Sequence, residues 1–98
     1  MIERDGDRLL IRGSITLAEA TRWREAGLKE IDRDGLTLDL AGVEEADSSA
    51  LSVLFEWQRA AKARGYQLKY ANMPNNLRSL ADVYGVLDLI ALADAPAG

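Results

Sequence analysis

Asp47, Ser48 and Ser49 are the residues whose types and spacing could do chemistry: in EEADSSALSVLFEW, residues 44–57, they stand directly ahead of a strongly apolar helical pattern. A helix begins with unpaired backbone N–H groups, and an aspartate or serine at the N-cap accepts from one of them. One cap suffices. Three adjacent polar side chains leave a surplus, which reads as a hydroxyl presented at a positive helix end, where a phosphate could be accepted or a partner could dock. Glu44 and Glu45 lie close to Asp47, but without a partner base these acids read as loop charges.

The rest of the composition narrows the chemistry. Among its 98 residues the chain has no cysteine and no histidine, which removes disulfides, thiolate or Ser-His nucleophilic catalysis and the usual zinc ligand sets. It also lacks the glycine-rich phosphate loop G-x-x-x-x-G-K-[ST]. The expectation is a protein that is not an enzyme and carries neither cofactor nor metal. Lys and Arg number 12 against 16 Asp and Glu, a net charge of -4. Nucleic acid is therefore not an expected partner, because neutralising phosphates needs clustered cations. The N-terminus MIERDGDRLL is charged rather than a basic segment leading into an apolar run, and the apolar stretches VLFEW and LIALADA are broken by charges. These features predict a soluble, cytoplasmic chain without direct membrane insertion.

The elements that must position the three polar residues follow from periodicity. DRLLIRGS, residues 7–14, reads as a strand that could pair with residues 2–4 across Asp5-Gly6. TLAEATRWREAGLKEIDRDG reads as a helix, with Thr16 and Glu19 as a capping box, Leu17, Ala20, Trp23, Gly27 and Ile31 at helical spacing, and Asp34-Gly35 as its end. Trp23 falls on the apolar stripe and is expected in the core. LTLDL, residues 36–40, alternates as a central strand does, and leads into the Asp47 stretch. A helix is predicted from Ser49 to Arg64, with Gly65 beyond it, then a strand in YQLKYA, a third helix from Asn75 or Asn76 to Gly85, and a short final element in residues 86–98. The order β, β, α, β, α, β, α predicts one α/β domain over residues 1–98, with a mixed four- to five-stranded sheet flanked by helices. Function in such sheets gathers beyond the carboxyl ends of the strands, which is where the Asp47-Ser48-Ser49 loop falls.

LTLDLAGVEEADSSALSVL resembles the central signature of STAS domains, the fold shared by anti-sigma factor antagonists and the sulfate-transporter tail: a strand, a variable loop, then D-S/T-S/T/A-G-L opening a helix. Asp47, Ser48, Ser49 and Leu51 match, with Ala50 in place of the usual glycine. Element order and length match over nearly the whole chain. Within the family the chain is most similar to MlaB-like subunits, through IRGSITLAEATRWREAGL and through the ending NNLRSLADVYGVLDLI, where Leu77, Leu80, Ala81, Tyr84 and Val86 fall on the L-x-x-L-A-x-x-Y-x-[LV] pattern. That resemblance implies a non-enzymatic subunit, cytoplasmic and peripheral to an inner-membrane complex. Its partner would be the MlaF-like ATPase of an ABC transporter that moves phospholipid and maintains outer-membrane lipid asymmetry. The alternative it implies is an anti-sigma factor antagonist whose partner is an anti-sigma factor kinase.

Ser48 maps to the hydroxyl that contributes to the ATPase contact in MlaB-like chains, and Ser49 to the phospho-acceptor of the anti-sigma factor antagonists. On the helix that follows, Leu51, Leu54, Phe55 and Ala61 form a core-facing stripe, while Val53, Trp57 and Ala60 lie on an adjoining one. The expected partner surface is thus Asp47, Ser48 and Ser49, extended one turn along by Ala50, Val53 and Trp57. Arg59, Lys62, Arg64 and Lys69 form a basic neighbourhood to which the sequence assigns no ligand.

Overall fold

The computed structural model describes residues 1–93. Strand β1 (Ile2–Asp5) turns at Gly6 and pairs antiparallel with β2 (Arg8–Ile15), in the register Ile2↔Ile11. A 3-10 turn, Leu17–Glu19, leads into helix α1 (Ala20–Glu30). Strand β3 (Leu36–Ala46) then pairs parallel with β2, helix α2 runs over Ser48–Ala63, and β4 (Leu68–Ala71) pairs parallel with β3. Helix α3 (Asn75–Val83) and a second 3-10 turn, Leu87–Leu89, follow, and Leu92 bridges back to Tyr70. The sheet is mixed and four-stranded, in the order β1-β2-β3-β4. Residues 94–98, part of the tail in which a final element was expected, lie outside the described residues.

Period-2 patterning explains which face of the sheet the helices cover. Leu9, Ile11, Leu36, Leu38, Leu40, Leu68 and Tyr70 are buried, while their neighbours Arg8, Arg12 and Lys69 are exposed and Thr37 and Asp39 half-buried. The core is therefore one layer between this face and the three helices.

The capping box expected from Thr16 and Glu19 does not form. Thr16 makes no side-chain cap, and the chain first winds as the 3-10 turn. That turn also shifts the helical phase, so Leu17, expected on the apolar stripe, is 78% exposed. Strand β3 runs six residues past LTLDL because β2 continues to pair with it through Gly42, Val43 and Ala46. Four of the six added residues, Ala41, Gly42, Glu44 and Glu45, are exposed, so backbone pairing extends the strand without leaving an apolar alternation in the sequence.

Helix α2 sits in the middle of the helical layer, against α1 on one side and α3 on the other. It therefore buries a broad arc rather than one stripe: Ala50, Leu51, Val53, Leu54, Trp57 and Ala61 are all in the core, and Phe55 is only half-buried. Contact with α1 is closest at Gly27, where a Cβ would stand 2.1 Å from Trp57 Cε2. The absence of a side chain there lets the indole lie against the helix. Each buried aromatic satisfies its polar atom on a backbone carbonyl: Trp57 Nε1 donates to Arg24 at 3.1 Å, Trp23 Nε1 to Ser14 at 2.7 Å, and the Tyr70 hydroxyl to Leu54 at 2.6 Å. Trp23 is in the core, as its stripe position predicts. At its other end α2 closes as a Schellman motif, in which Gly65 has a φ of 80° and the Tyr66 N–H donates to the Ala61 carbonyl at 2.8 Å.

Candidate functional site

Strand β3 delivers Asp47 at its carboxyl end in an extended conformation, with φ -117° and ψ -170°, and this residue is the N-cap of α2. Both carboxylate oxygens are engaged. Oδ1 accepts from the Ser49 N–H at 2.9 Å and from the Ser49 hydroxyl, whereas Oδ2 accepts from the Leu17 N–H at 3.1 Å. One side chain thus caps α2 and also holds the start of the turn that leads into α1. The loop is pinned further by the Asp47 N–H, which donates to the Ile15 carbonyl at 3.4 Å, and by Asn76 Nδ2, which donates to the Ala46 carbonyl at 3.0 Å. The ends of β2 and β3 and the starts of α2 and α3 therefore meet at this loop.

The electrostatics follow from that bonding. The Ser49 hydroxyl, followed by the backbone N–H groups of Leu17 and Ser49, holds the Asp47 carboxyl below its ordinary value of 3.8, against a partial opposing effect of burial. Asp47 is a firmly ionised cap. Ser49 is half-buried with its hydroxyl committed to that carboxylate, whereas Ser48, in the first turn, is exposed and takes no part in the cap bonding. The two adjacent serines are chemically distinct as a result: one fixes the loop, and the other offers a hydroxyl to solvent.

Burial corrects three of the positions expected at the surface. Ala50 and Trp57 are 0% exposed and Val53 is 2% exposed, so their side chains are core rather than contact surface. The physical reason is the enclosure of α2 between its two neighbours, which turns the adjoining stripe inward as well. The exposed side chains around the loop are instead Leu17, whose N–H bonds the Asp47 carboxylate, and Ser52, one turn further along α2. Sequence periodicity missed Leu17 because it assumed a continuous α-helical phase through residues 17–20. In the sequence Asn76 reads only as a possible helix start, and its bond to the Ala46 carbonyl leaves no sequence signal.

A family model described as "Mlab, STAS domain" matches residues 2–91. The chain belongs to the STAS domain family. No curated protein matches the chain significantly. Among solved structures, this STAS domain is similar to a Thermotoga maritima protein assigned as an anti-sigma factor antagonist, with 12% identity, a TM-score of 0.74, and coverage of 98% of this chain and 86% of that one. The Bacillus cell fate determinant SpoIIAA, in its phosphorylated form, matches at 13% identity and a TM-score of 0.67, over 96% of this chain and 90% of that one. A murine anion transporter, solute carrier 26 family member A9, matches at 19% identity and a TM-score of 0.69, over 83% of this chain but 14% of that one. At these identities the likeness establishes the fold. The four-stranded mixed sheet with three helices is the STAS architecture expected from the sequence. No helix among the described residues is long and apolar enough to cross a membrane.

Proposed function

We propose that this STAS domain is a non-enzymatic regulatory subunit that docks its Asp47-Ser48-Ser49 loop onto the MlaF-like ATPase of a phospholipid-transport ABC complex, on the cytoplasmic side of the inner membrane. The observation that carries this reading is the division of labour between the serines. Asp47 fixes the loop through Ser49 and Leu17, which leaves the Ser48 hydroxyl exposed on a preorganised helix start beside the exposed Leu17. A rigid polar group next to an apolar anchor forms a contact surface at low entropic cost. The match to the MlaB-type family model supports the choice of partner. Coupling would arise from binding energy: contact with the STAS subunit favours the assembled, active arrangement of the ATPase.

The second reading, an anti-sigma factor antagonist switched by a kinase at Ser49, draws support from the retained second serine. Phosphorylation there requires the hydroxyl to leave Asp47, and places roughly -1.5 to -2 units of charge against that carboxylate. The loop would lose its lock, and the partner surface would be altered.

Titration of the purified ATPase with wild-type protein, Ser48→Ala and Leu17→Glu tests the first reading. Because Asp47 rather than Ser48 is the cap, Ser48→Ala is expected to keep its Tm within about 2 °C of wild type. Both variants are expected to bind about tenfold more weakly. Wild-type affinity in both folded variants would remove this loop from the interface.

A further inference from the structure

A groove of about 990 Å³ runs between the outer side of α2, from Ser52 onward, and the outer edge of β4. Phe55, Leu68, Val86 and Leu92 give it apolar walls, and Arg59, Lys62 and Lys69 line it with three cations against one acid, Glu56. In a chain of net charge -4 this concentration of positive charge is local. Arg59 is 78% exposed and its ion pair is with Glu56, at 3.8 Å on its own helix, while Lys62 and Lys69 form no ion pair among the described residues.

The backbone of β4 adds a second, independent observation. Tyr70 turns both main-chain groups to the outer edge, where its N–H donates to the Ala91 carbonyl at 2.7 Å and its carbonyl accepts from the Ala93 N–H at 2.8 Å. Gln67, by contrast, faces inward, its carbonyl accepting from the Gly35 N–H at the start of β3. The two-residue period therefore turns the N–H and carbonyl of Leu68 outward as well, into the groove. Among the described residues no turn or loop group pairs with them. Leu68 as a residue is 5% exposed, and a main-chain donor and acceptor without a protein partner at so enclosed a position are an arrangement that native backbones rarely keep. The segment after α3 completes the edge at Tyr70 and leaves it open one step earlier.

We propose that this groove binds an extended segment of a partner protein, which adds main-chain hydrogen bonds to β4 at Leu68 and alternates apolar with acidic side chains. Strand addition supplies the missing pair of bonds. Alternation then sends apolar side chains towards Phe55 under α2 and carboxylates towards Lys69 on the open face of the sheet, while Arg59 and Lys62 draw the acidic chain in. This groove adjoins the Ser48 surface at Ser52, which lines it, but its cations and the Leu68 backbone lie further on, and its occupancy does not depend on the partner proposed there.

The test uses a fluorescent peptide of about nine residues alternating glutamate and valine. Its controls are the same peptide with lysine for glutamate and the same peptide N-methylated at its central amides. In the free protein the Leu68 amide is expected to exchange with solvent deuterium at least about tenfold faster than the Tyr70 amide, and to slow when the acidic peptide binds. Arg59→Glu combined with Lys62→Glu, two exposed changes that leave the core intact, is expected to weaken peptide binding at least about tenfold at low salt. Leu68 protection equal to that of Tyr70 in the free protein, equal binding of the lysine or N-methylated peptide, or unchanged binding to the folded double variant would each overturn the proposal.

Discussion

At the scale of single residues, the Asp47 carboxylate does more than a helix cap ordinarily does, because its two oxygens serve two different helix starts. Its native pKa is depressed, so its contribution to stability is complete above the ordinary value of 3.8 and disappears as pH falls through the lower native value. Asp47→Asn keeps the shape but loses the charge. Its Tm is expected to fall by roughly 5 to 10 °C at neutral pH. The gap from wild type should stay constant down to the ordinary carboxylate range and close in stronger acid, when the wild-type group is itself protonated. Paired thermal melts across that range check this, and a gap that persists unchanged at the lowest pH would mean that the charge is not what holds the loop.

At the scale of elements, the packing of α2 against α1 depends on the bare backbone of Gly27 under the Trp57 indole. A methyl group there has no room, and Gly27→Ala is expected to destabilise the fold by about 2 to 3 kcal/mol despite the better helix propensity of alanine. Denaturant unfolding measures it. Trp57→Phe in the same chain should recover part of the loss, because the smaller ring withdraws from the contact, and simple additivity would place the clash elsewhere. The same helix shows what a sequence can and cannot display. The apolar alternation of LTLDL and the Gly65 and Gly85 stops mark elements from local chemistry alone, and these elements are present. Whether Val53 and Trp57 face solvent depends on how many neighbours enclose α2, which is a property of the assembled layer. Leu17 was misread for a related reason, since a single 3-10 turn moves it off the apolar stripe.

At the scale of the whole molecule, the strand ends bring the Asp47 loop together with Leu17 and Asn76, residues 30 and 29 positions away in the chain. The family and the strand-helix order were legible because a short signature and regular periodicity are local. Of the proposed contact surface, the sequence displays Asp47, Ser48 and Ser49, whereas Leu17 and Asn76 join the loop only through the convergence of three loops. The central claim, that this surface joins a STAS subunit to a transport ATPase, is tested most directly by recovering the tagged wild-type protein and a Ser48→Glu variant from native cells and identifying what accompanies each. The account predicts that an ABC-type ATPase accompanies the wild type in near-stoichiometric amount and is lost with the folded variant. Recovery of a serine kinase instead, with Ser49 phosphorylated and no ATPase, would contradict it.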